Sequence, residues 1–170
     1  MIYFVTENYL KTNTTVGLNV DANIITPAIV TAADTYVRSI IGTPFYNYLL
    51  IEFNNQTLDP DEVTLVQDYI KNAVAWRAAS EIVAAASYQL KNKGIQTQSG
   101  DYSMSPEYRA VMWNIQHTSD KASFYDNRLS EYLGSDKDKY PQFWAYDNRF
   151  AIARRRCQAP NLFNQNIMFI

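Results

Sequence analysis

The chain has few of the residues on which common site chemistry depends. Its 170 residues include one cysteine and one histidine, so an internal disulfide is impossible and His117 has no neighbouring His or Cys in sequence to share a metal. A lone Cys157 fits a reducing cytosol. There is no run of about 18 apolar residues, so we expect no membrane span. The start, "MIYFVTENYLK", lacks a basic region and a long apolar run, so we expect no signal peptide.

Catalytic motifs are also missing. There is no "GxSxG" elbow, and the five glycines are too scattered to cradle a phosphate. Asp120 follows His117 by one helical turn, a spacing that is common by chance on helices. Asp136 and Asp138 resemble the start of a calcium loop, but lysines interleave with them and the required Gly and Glu do not follow. We therefore predict that the chain is not an enzyme, and we assign it no catalytic, cofactor-binding or metal residue and no cofactor.

Charge is unevenly distributed along the chain. The formal net charge is −2, from 15 basic and 17 acidic residues, and the last three basic residues are Arg154, Arg155 and Arg156. No acid follows residue 149, so the acidic body precedes a short basic arm. Such a body is a poor general nucleic-acid binder, because phosphate neutralisation needs clustered Lys and Arg. For the three arginines we favour contacts with acidic groups on another chain, and a contact with DNA backbone stays open.

What the sequence does contain is helix punctuation. Thr26-Pro27 predicts an N-cap and first turn, and Gly42 predicts the end of that helix. Between them one apolar stripe recurs at three- and four-residue steps. Its members are Ile29, Ala33, Tyr36, Val37, Ile40 and Ile41.

The stretch "GTPFY", Gly42 to Tyr46, ends one helix and starts the next. Thr43 is expected to cap the second helix and Pro44 to occupy its first turn. This turn raises the question of a DNA-reading helix-turn-helix, whose recognition helix would need basic and polar side chains. The second helix has no Lys or Arg, and its one charge is Glu52. We therefore interpret Gly42, Thr43, Pro44, Phe45 and Tyr46 as a rigid packed corner.

Two long helices follow. Asp59, Pro60 and Glu62 predict a capped start, and Gly94 predicts the end of a helix of about 33 residues, some 50 Å long. Ser105, with a Pro and an acid after it, predicts the cap of the next helix, and Gly134 predicts its end. A loop or small hairpin is expected between them, around Ser99-Gly100. The last helix carries a packing seam with a strict three-four alternation: Tyr108, Val111, Ile115, Thr118, Ala122, Tyr125, Leu129 and Tyr132.

These elements predict an all-α fold. We expect a helical bundle with two long antiparallel helices, two short helices joined by the Gly-Thr-Pro corner, and an extended C-terminal arm. Residues 1–149 would form the helical domain, with a short N-terminal segment, 1–25, that is mostly extended. Residues 150–170 would form the basic and apolar arm.

The end of the arm is apolar, although a solvated tail usually avoids apolar residues. We favour docking of this tail on another subunit over folding back on its own bundle. The 13 tyrosines also suit half-exposed contact surfaces. Together with the three arginines, the predicted inter-subunit contacts are Leu162, Phe163, Ile167, Met168, Phe169 and Ile170.

Over about residues 5–133 the chain resembles the head–tail connector proteins of tailed bacteriophages, also called adaptor or head-completion proteins. It looks most like the portal-proximal ring protein of crAss-like phages. The corner motif carries the resemblance: Ala33, Tyr36, Val37, Ile40, Ile41, Gly42, Phe45 and Tyr46. The region after Gly134 does not match.

The resemblance implies a virion protein at the head–tail junction, assembled in the bacterial cytoplasm. Twelve copies would form a ring on the portal protein, extend the DNA channel and give other tail or connector rings a docking platform. DNA would pass through without sequence-specific binding, and no membrane is involved. The alternative from a different class is a small helical regulatory module that binds protein or DNA as a monomer or dimer.

Overall fold

A computed structural model describes residues 3–87, 89–91, 94–96, 108–135 and 138–144. In this part of the chain, five helices build the molecule: α1 (Glu7–Asn13), α2 (Ala22–Ile41), α3 (Thr43–Asn55), α4 (60–87) and α5 (Tyr108–Ser135). A small antiparallel hairpin, β1 (Gln89–Lys91) and β2 (Gly94–Gln96), follows α4, and a helical turn lies at 141–144. The prediction of an all-α helical bundle is confirmed.

The two longest helices, α4 and α5, pack antiparallel. Asp61, just inside α4, contacts Tyr140, just beyond α5. Further along α4, Tyr69 stacks on Tyr132 and Trp76 on Tyr125. The partner number falls as the α4 number rises, so the helices run in opposite directions. The apolar faces of the helices meet in one core.

That core draws on every helix of the bundle. Small residues in the middle of α4, Ala73, Ala75, Ala78 and Ala79, are buried and allow close approach by α2 and α5. Larger side chains fill the spaces between the other helices. The largest fully buried ones are Tyr46, Phe4, Leu10, Ile25, Ile41, Leu49, Leu65, Ile70, Leu129 and Leu133.

The N-terminal segment is only partly extended, because α1 begins inside it. Thr6 caps α1 by accepting a hydrogen bond from the Tyr9 N–H. The prediction that Thr26 caps the next helix is wrong. Asp21 caps α2, with its carboxylate accepting from the Asn23 N–H at 2.9 Å. Pro27 lies inside the helix, where it removes one backbone hydrogen bond, and the burial of Ile25, Ala28 and Ile29 offsets that loss.

The corner at Gly42 is confirmed, with one change of role. Gly42 has φ 88° and ψ 136°. Its N–H donates to the Arg38 carbonyl and its carbonyl accepts from the Tyr46 N–H, both at 2.9 Å. Gly42 therefore ends α2 and also caps α3. The expectation that Thr43 is the N-cap is wrong: Thr43 is the first residue of α3 and Pro44 the second, and no side chain caps this helix.

The start of α4 is as predicted, whereas its end is not. Asp59 and Glu62 form the capping box, with the Asp59 N–H donating to Glu62 Oε2 at 3.1 Å. The helix then covers 28 residues, about 42 Å, and ends at Ser87. Gly94 is therefore not a helix cap; it lies in β2 opposite Lys91. A glycine after a polar run is compatible with a helix end or a hairpin, and here strand pairing takes those residues.

The last helix ends one residue beyond the prediction, at Ser135, with Gly134 inside its final turn. The predicted seam faces inward: Thr118, Ala122 and Leu129 are buried, and Tyr125 and Tyr132 are partly buried. Ser105 and the Ser99-Gly100 loop lie outside the described residues. So do the arm residues Arg154, Arg155, Arg156, Leu162, Phe163, Ile167, Met168, Phe169 and Ile170.

One described helix, α2, is long and apolar enough to cross a membrane by length and composition. An 18-residue window within its 20 residues has a mean hydropathy of 1.2. The core helix of a soluble protein passes the same test, and α2 packs on α4 through Ala32, Ala33 and Val37. The sequence expectation of no membrane span rested on an unbroken apolar run, a stricter requirement than average hydropathy.

Candidate assembly interface

Helices α2 and α4 each contain a wide, π-helical turn that carries a tyrosine. Residues Ala32–Val37 of α2 and Leu65–Ile70 of α4 are π-helical. Tyr36, in the first, lies under the Arg77 guanidinium at 4.5 Å and donates to Glu81 at 2.9 Å. Tyr69, in the second, stacks on Tyr132 with ring centroids 3.9 Å apart. The two wide turns thus present aromatic rings to neighbouring helices.

A mostly buried ion pair ties α4 to α5. Arg77 Nε and a terminal nitrogen of the same guanidinium each lie 2.6 Å from Asp126 Oδ2. Burial raises the pKa of Asp126 above its usual range, and the Arg77 hydrogen bond and charge oppose that rise. Asp126 Oδ1 has no hydrogen-bond partner among the described residues, and Asp126 lines an open polar cavity of about 280 Å³. The pair fixes the register of the two helices.

Tyrosines close the other end of the bundle. The Tyr140 hydroxyl donates to the Asp61 carbonyl at 3.0 Å and lies 3.3 Å from the Tyr132 hydroxyl. Lys139 pairs with the Asp61 carboxylate at 3.2 Å. Burial, and then the hydrogen bond with Tyr132, raises the pKa of Tyr140. These contacts hold the segment after α5 against the start of α4.

The aromatics of the corner belong to the same framework. Phe45 and Tyr46 are both buried; Tyr46 meets the Phe4 ring edge-on at 5.4 Å, and Phe45 lies 5.9 Å from Tyr140. The Arg38 guanidinium covers the Tyr46 ring at 4.8 Å. The corner therefore packs inward and leaves no aromatic surface for a base to stack on.

The outer face of α5 is different in character. Trp113 is 66% exposed and Phe124 is 60% exposed. The Trp113 indole stacks on the His117 ring, 4.9 Å apart and within 8° of parallel. We call the residues of this face the outer stripe; they recur at helical spacing and comprise Arg109, Trp113, His117, Lys121 and Phe124.

Acidic side chains gather where α3 leads into α4. Asp59 and the Asp61 carboxylate are exposed, while Glu52 and Glu62 are half-buried. Two exposed apolar residues, Ile51 and Val63, flank them. We call Glu52, Asp59, Asp61 and Glu62 the acidic edge. Lys139 is the one cation that the described ion pairs place on it.

His117 serves as a ring-stacking partner in this structure. Within the described part of the chain, no group of three or more His, Cys, Asp or Glu residues could hold a metal ion. Asp120 lies one helical turn after His117 and accepts a hydrogen bond from the Gln116 side chain at 2.7 Å.

The sequence analysis did not predict two features, the Arg77–Asp126 ion pair and the outer stripe. The Arg77–Asp126 pair joins residues distant in sequence, and no spacing rule connects them. The outer stripe did have a signal, because its members are the helix positions that the predicted seam leaves out. Three of them, Trp113, His117 and Phe124, are aromatic rings where a solvated helix face would carry polar side chains.

A protein-family model described as "Family of unknown function (DUF6712)" matches residues 37–149. This range starts near the end of α2 and includes the corner, the acidic edge and the outer stripe. No curated protein and no solved structure matches the chain.

Proposed function

We propose that this chain, which belongs to the DUF6712 family of unknown function, is a structural virion protein that acts as a head–tail connector adaptor. Copies of it would form a ring on the portal protein, extend the DNA channel and provide a docking platform for the tail. The resemblance of the corner motif to phage connector proteins supports this role. The twelve-fold number comes from that resemblance.

The observation that carries an assembly role is the exposure of the outer stripe. Burying a large aromatic side chain in a contact stabilises that contact by about 25 cal/mol per Å² of apolar surface removed from water. Trp113 and Phe124 are left mostly in water on a rigid helix. Exposed apolar surface of this kind marks contact sites.

The interior suits a rigid building block. The Arg77–Asp126 pair and the stacked tyrosines connect the long helices at several levels. An assembly that must keep a channel open gains from such rigidity, because less conformational freedom is lost when copies associate.

Native mass spectrometry and electron microscopy of the purified chain, alone and with the portal protein of the same genome, test the proposal. We expect closed rings that bind the portal protein. A chain that stays monomeric or dimeric under both conditions, and that shifts DNA at physiological salt, would instead be the regulatory module.

A further inference from the structure

We infer that the outer stripe of one copy docks on the acidic edge of the next copy, so that the chain assembles head to tail. This inference rests on the proposed function only in requiring that copies associate. It assigns the two surfaces that make the contact, and the partner it names is a second copy of this chain.

The outer stripe points away from the core of its own molecule. At 100° per residue, Arg109, Trp113, His117, Lys121 and Phe124 fall within about one third of the helix circumference. The buried residues Thr118, Ala122 and Leu129 lie on the opposite side of α5. Within the described part of the chain, Lys121 contacts the Trp76 ring of α4, whereas Trp113 and Phe124 stay mostly exposed and add little to the packing of their own bundle.

The chemistry of the stripe is cationic and aromatic. Arg109 and Lys121 flank the Trp113–His117 stack, and Lys121 lies 4.5 Å above the Trp76 ring. Two acids share this side of α5: Asp120, which accepts a hydrogen bond from Gln116, and Glu131, which lies two helical turns beyond Phe124. The stack and the Lys121 contact hold the side chains in place, which lowers the entropy lost on docking.

The acidic edge has the complementary chemistry. Its four carboxylates include the sequence neighbours of two exposed apolar residues, Ile51 beside Glu52 and Val63 beside Glu62, and Lys139 pairs with Asp61. In the inferred contact, the basic and aromatic groups of the outer stripe face the acidic and apolar groups of the acidic edge. Complementary potentials of this kind steer association and fix its orientation.

The two surfaces cannot meet within one molecule. The acidic edge lies at the end of the bundle where Asp61 contacts Tyr140, next to Tyr132. Trp113 and Phe124 lie 19 and 8 residues before Tyr132 on the same helix, about 28 and 12 Å away at 1.5 Å per residue. A contact between two different surfaces is heterologous, and heterologous contacts close into rings when the rotation between copies allows it.

A charge-reversal experiment tests the pairing. Arg109→Glu with Lys121→Glu reverses both cations of the stripe, and Glu52→Lys with Asp61→Lys replaces two of the four carboxylates of the edge by cations without touching the Asp59–Glu62 capping box. Each variant alone should associate at least about tenfold more weakly than the wild type, because the attraction between stripe and edge becomes repulsion in the stripe variant and is cancelled in the edge variant. An equimolar mixture of the two should regain association, since each stripe then finds an edge of opposite charge. The measurement is sedimentation velocity, with circular dichroism to check folding.

Matched controls separate this effect from general damage. Glu131→Lys reverses an exposed charge of α5 on the same face but two helical turns beyond Phe124, the last residue of the stripe, and should not weaken association. Trp113→Ser should weaken association, whereas Leu18→Ser should not, although Leu18 is 76% exposed. Loss of association in both control variants, Glu131→Lys and Leu18→Ser, would overturn the inference.

Other outcomes also decide the question. A mixture of reversed variants that fails to associate while the wild type does, or a wild type that never associates, overturns the inference. So does a stripe reversal that abolishes DNA binding without changing the assembly state, or a photo-crosslinker at position 113 that reacts only with residues 145–170 of its own chain. If the mixture is rescued but no ring binds the portal protein, the inference stands and the connector role fails.

Discussion

Gly42 shows how one residue can serve two helices. With φ at 88° it adopts a backbone conformation that side chains with a Cβ disfavour. It also provides the last N–H of α2 and the first carbonyl of α3 to backbone partners. The corner depends on this residue rather than on the Thr43 side chain.

We expect Gly42→Val to lower the free energy of unfolding by at least about 1 kcal/mol, because a β-branched side chain is strained at positive φ. Gly134→Ala is the matched control. Gly134 is helical, and a Cβ there would meet nothing within 4 Å, so this change should be neutral or stabilising by up to about 1 kcal/mol. Urea denaturation measures both, and equal effects of the two substitutions would contradict the role of Gly42.

Tyr46 is a residue at which a pH dependence of stability is expected. Its ring is fully buried, and its hydroxyl has no hydrogen-bond partner among the described residues. Burial, and then the nearby Asp34, raises the pKa of Tyr46 to about 12. Between the unfolded pKa of about 10 and that value, the folded state holds the proton more strongly, so stability falls as pH rises.

Tyr46→Phe should therefore flatten the loss of stability between pH 10 and 12. At pH 7 the change should be neutral within about 1 kcal/mol, because it removes a hydroxyl that has no partner. Thermal unfolding across this pH range provides the comparison. Parallel curves for the wild type and the variant above pH 10 would show that Tyr46 does not titrate as described.

At the scale of the element, α4 and α5 depend on a charge pair that burial makes costly. The side chains of Arg77 and Asp126 are 17% and 11% exposed. A mostly buried ion pair adds little net stability, but removal of one of its two residues leaves the other as an uncompensated buried charge. The pair therefore sets the register of the two helices more than it stabilises them.

Asp126→Ala should cost about 3 kcal/mol, because it leaves the Arg77 guanidinium buried without its carboxylate. The double change Arg77→Met with Asp126→Leu should recover most of that loss. Asp120→Ala, on the exposed face of the same helix, should change stability by less than about 0.5 kcal/mol. A double change as damaging as the single one would rule out this account.

For the whole molecule, the fold separates two surfaces of opposite chemistry. The acidic edge lies where α4 begins, and the outer stripe lies on α5 toward the other end of the bundle. A molecule with two distinct surfaces at a distance associates head to tail, whereas one self-complementary surface gives a closed dimer. This layout agrees with the proposed connector role.

The C-terminal arm provides a prediction at the same scale. Deletion of residues 161–170 should leave the bundle folded, because the described residues, which end at 144, already form a continuous core. It should impair assembly with neighbouring subunits, since the predicted contacts of Phe163 and Phe169 would be lost. Circular dichroism and particle incorporation measure the two effects. Normal incorporation of the truncated chain would remove the arm from the assembly mechanism.

The sequence by itself determined the helical class, the corner at Gly42, the Asp59–Glu62 capping box and the inward seam of α5. These features depend on local backbone preferences and on helical periodicity, both of which act over a few residues. Signals of the same local kind were wrong at Thr26 and Gly94, because Asp21 offered a cap further upstream and strand pairing competed for the residues after α4.

Only the tertiary structure decided which helices meet and which surfaces remain uncovered. The Arg77–Asp126 pair and the Tyr140–Asp61 contact join residues 49 and 79 positions apart in sequence, beyond the reach of any periodic pattern. The separation of stripe and edge likewise follows from the antiparallel packing of α4 and α5. Helical spacing places a side chain on a face, but only packing decides whether another helix covers that face.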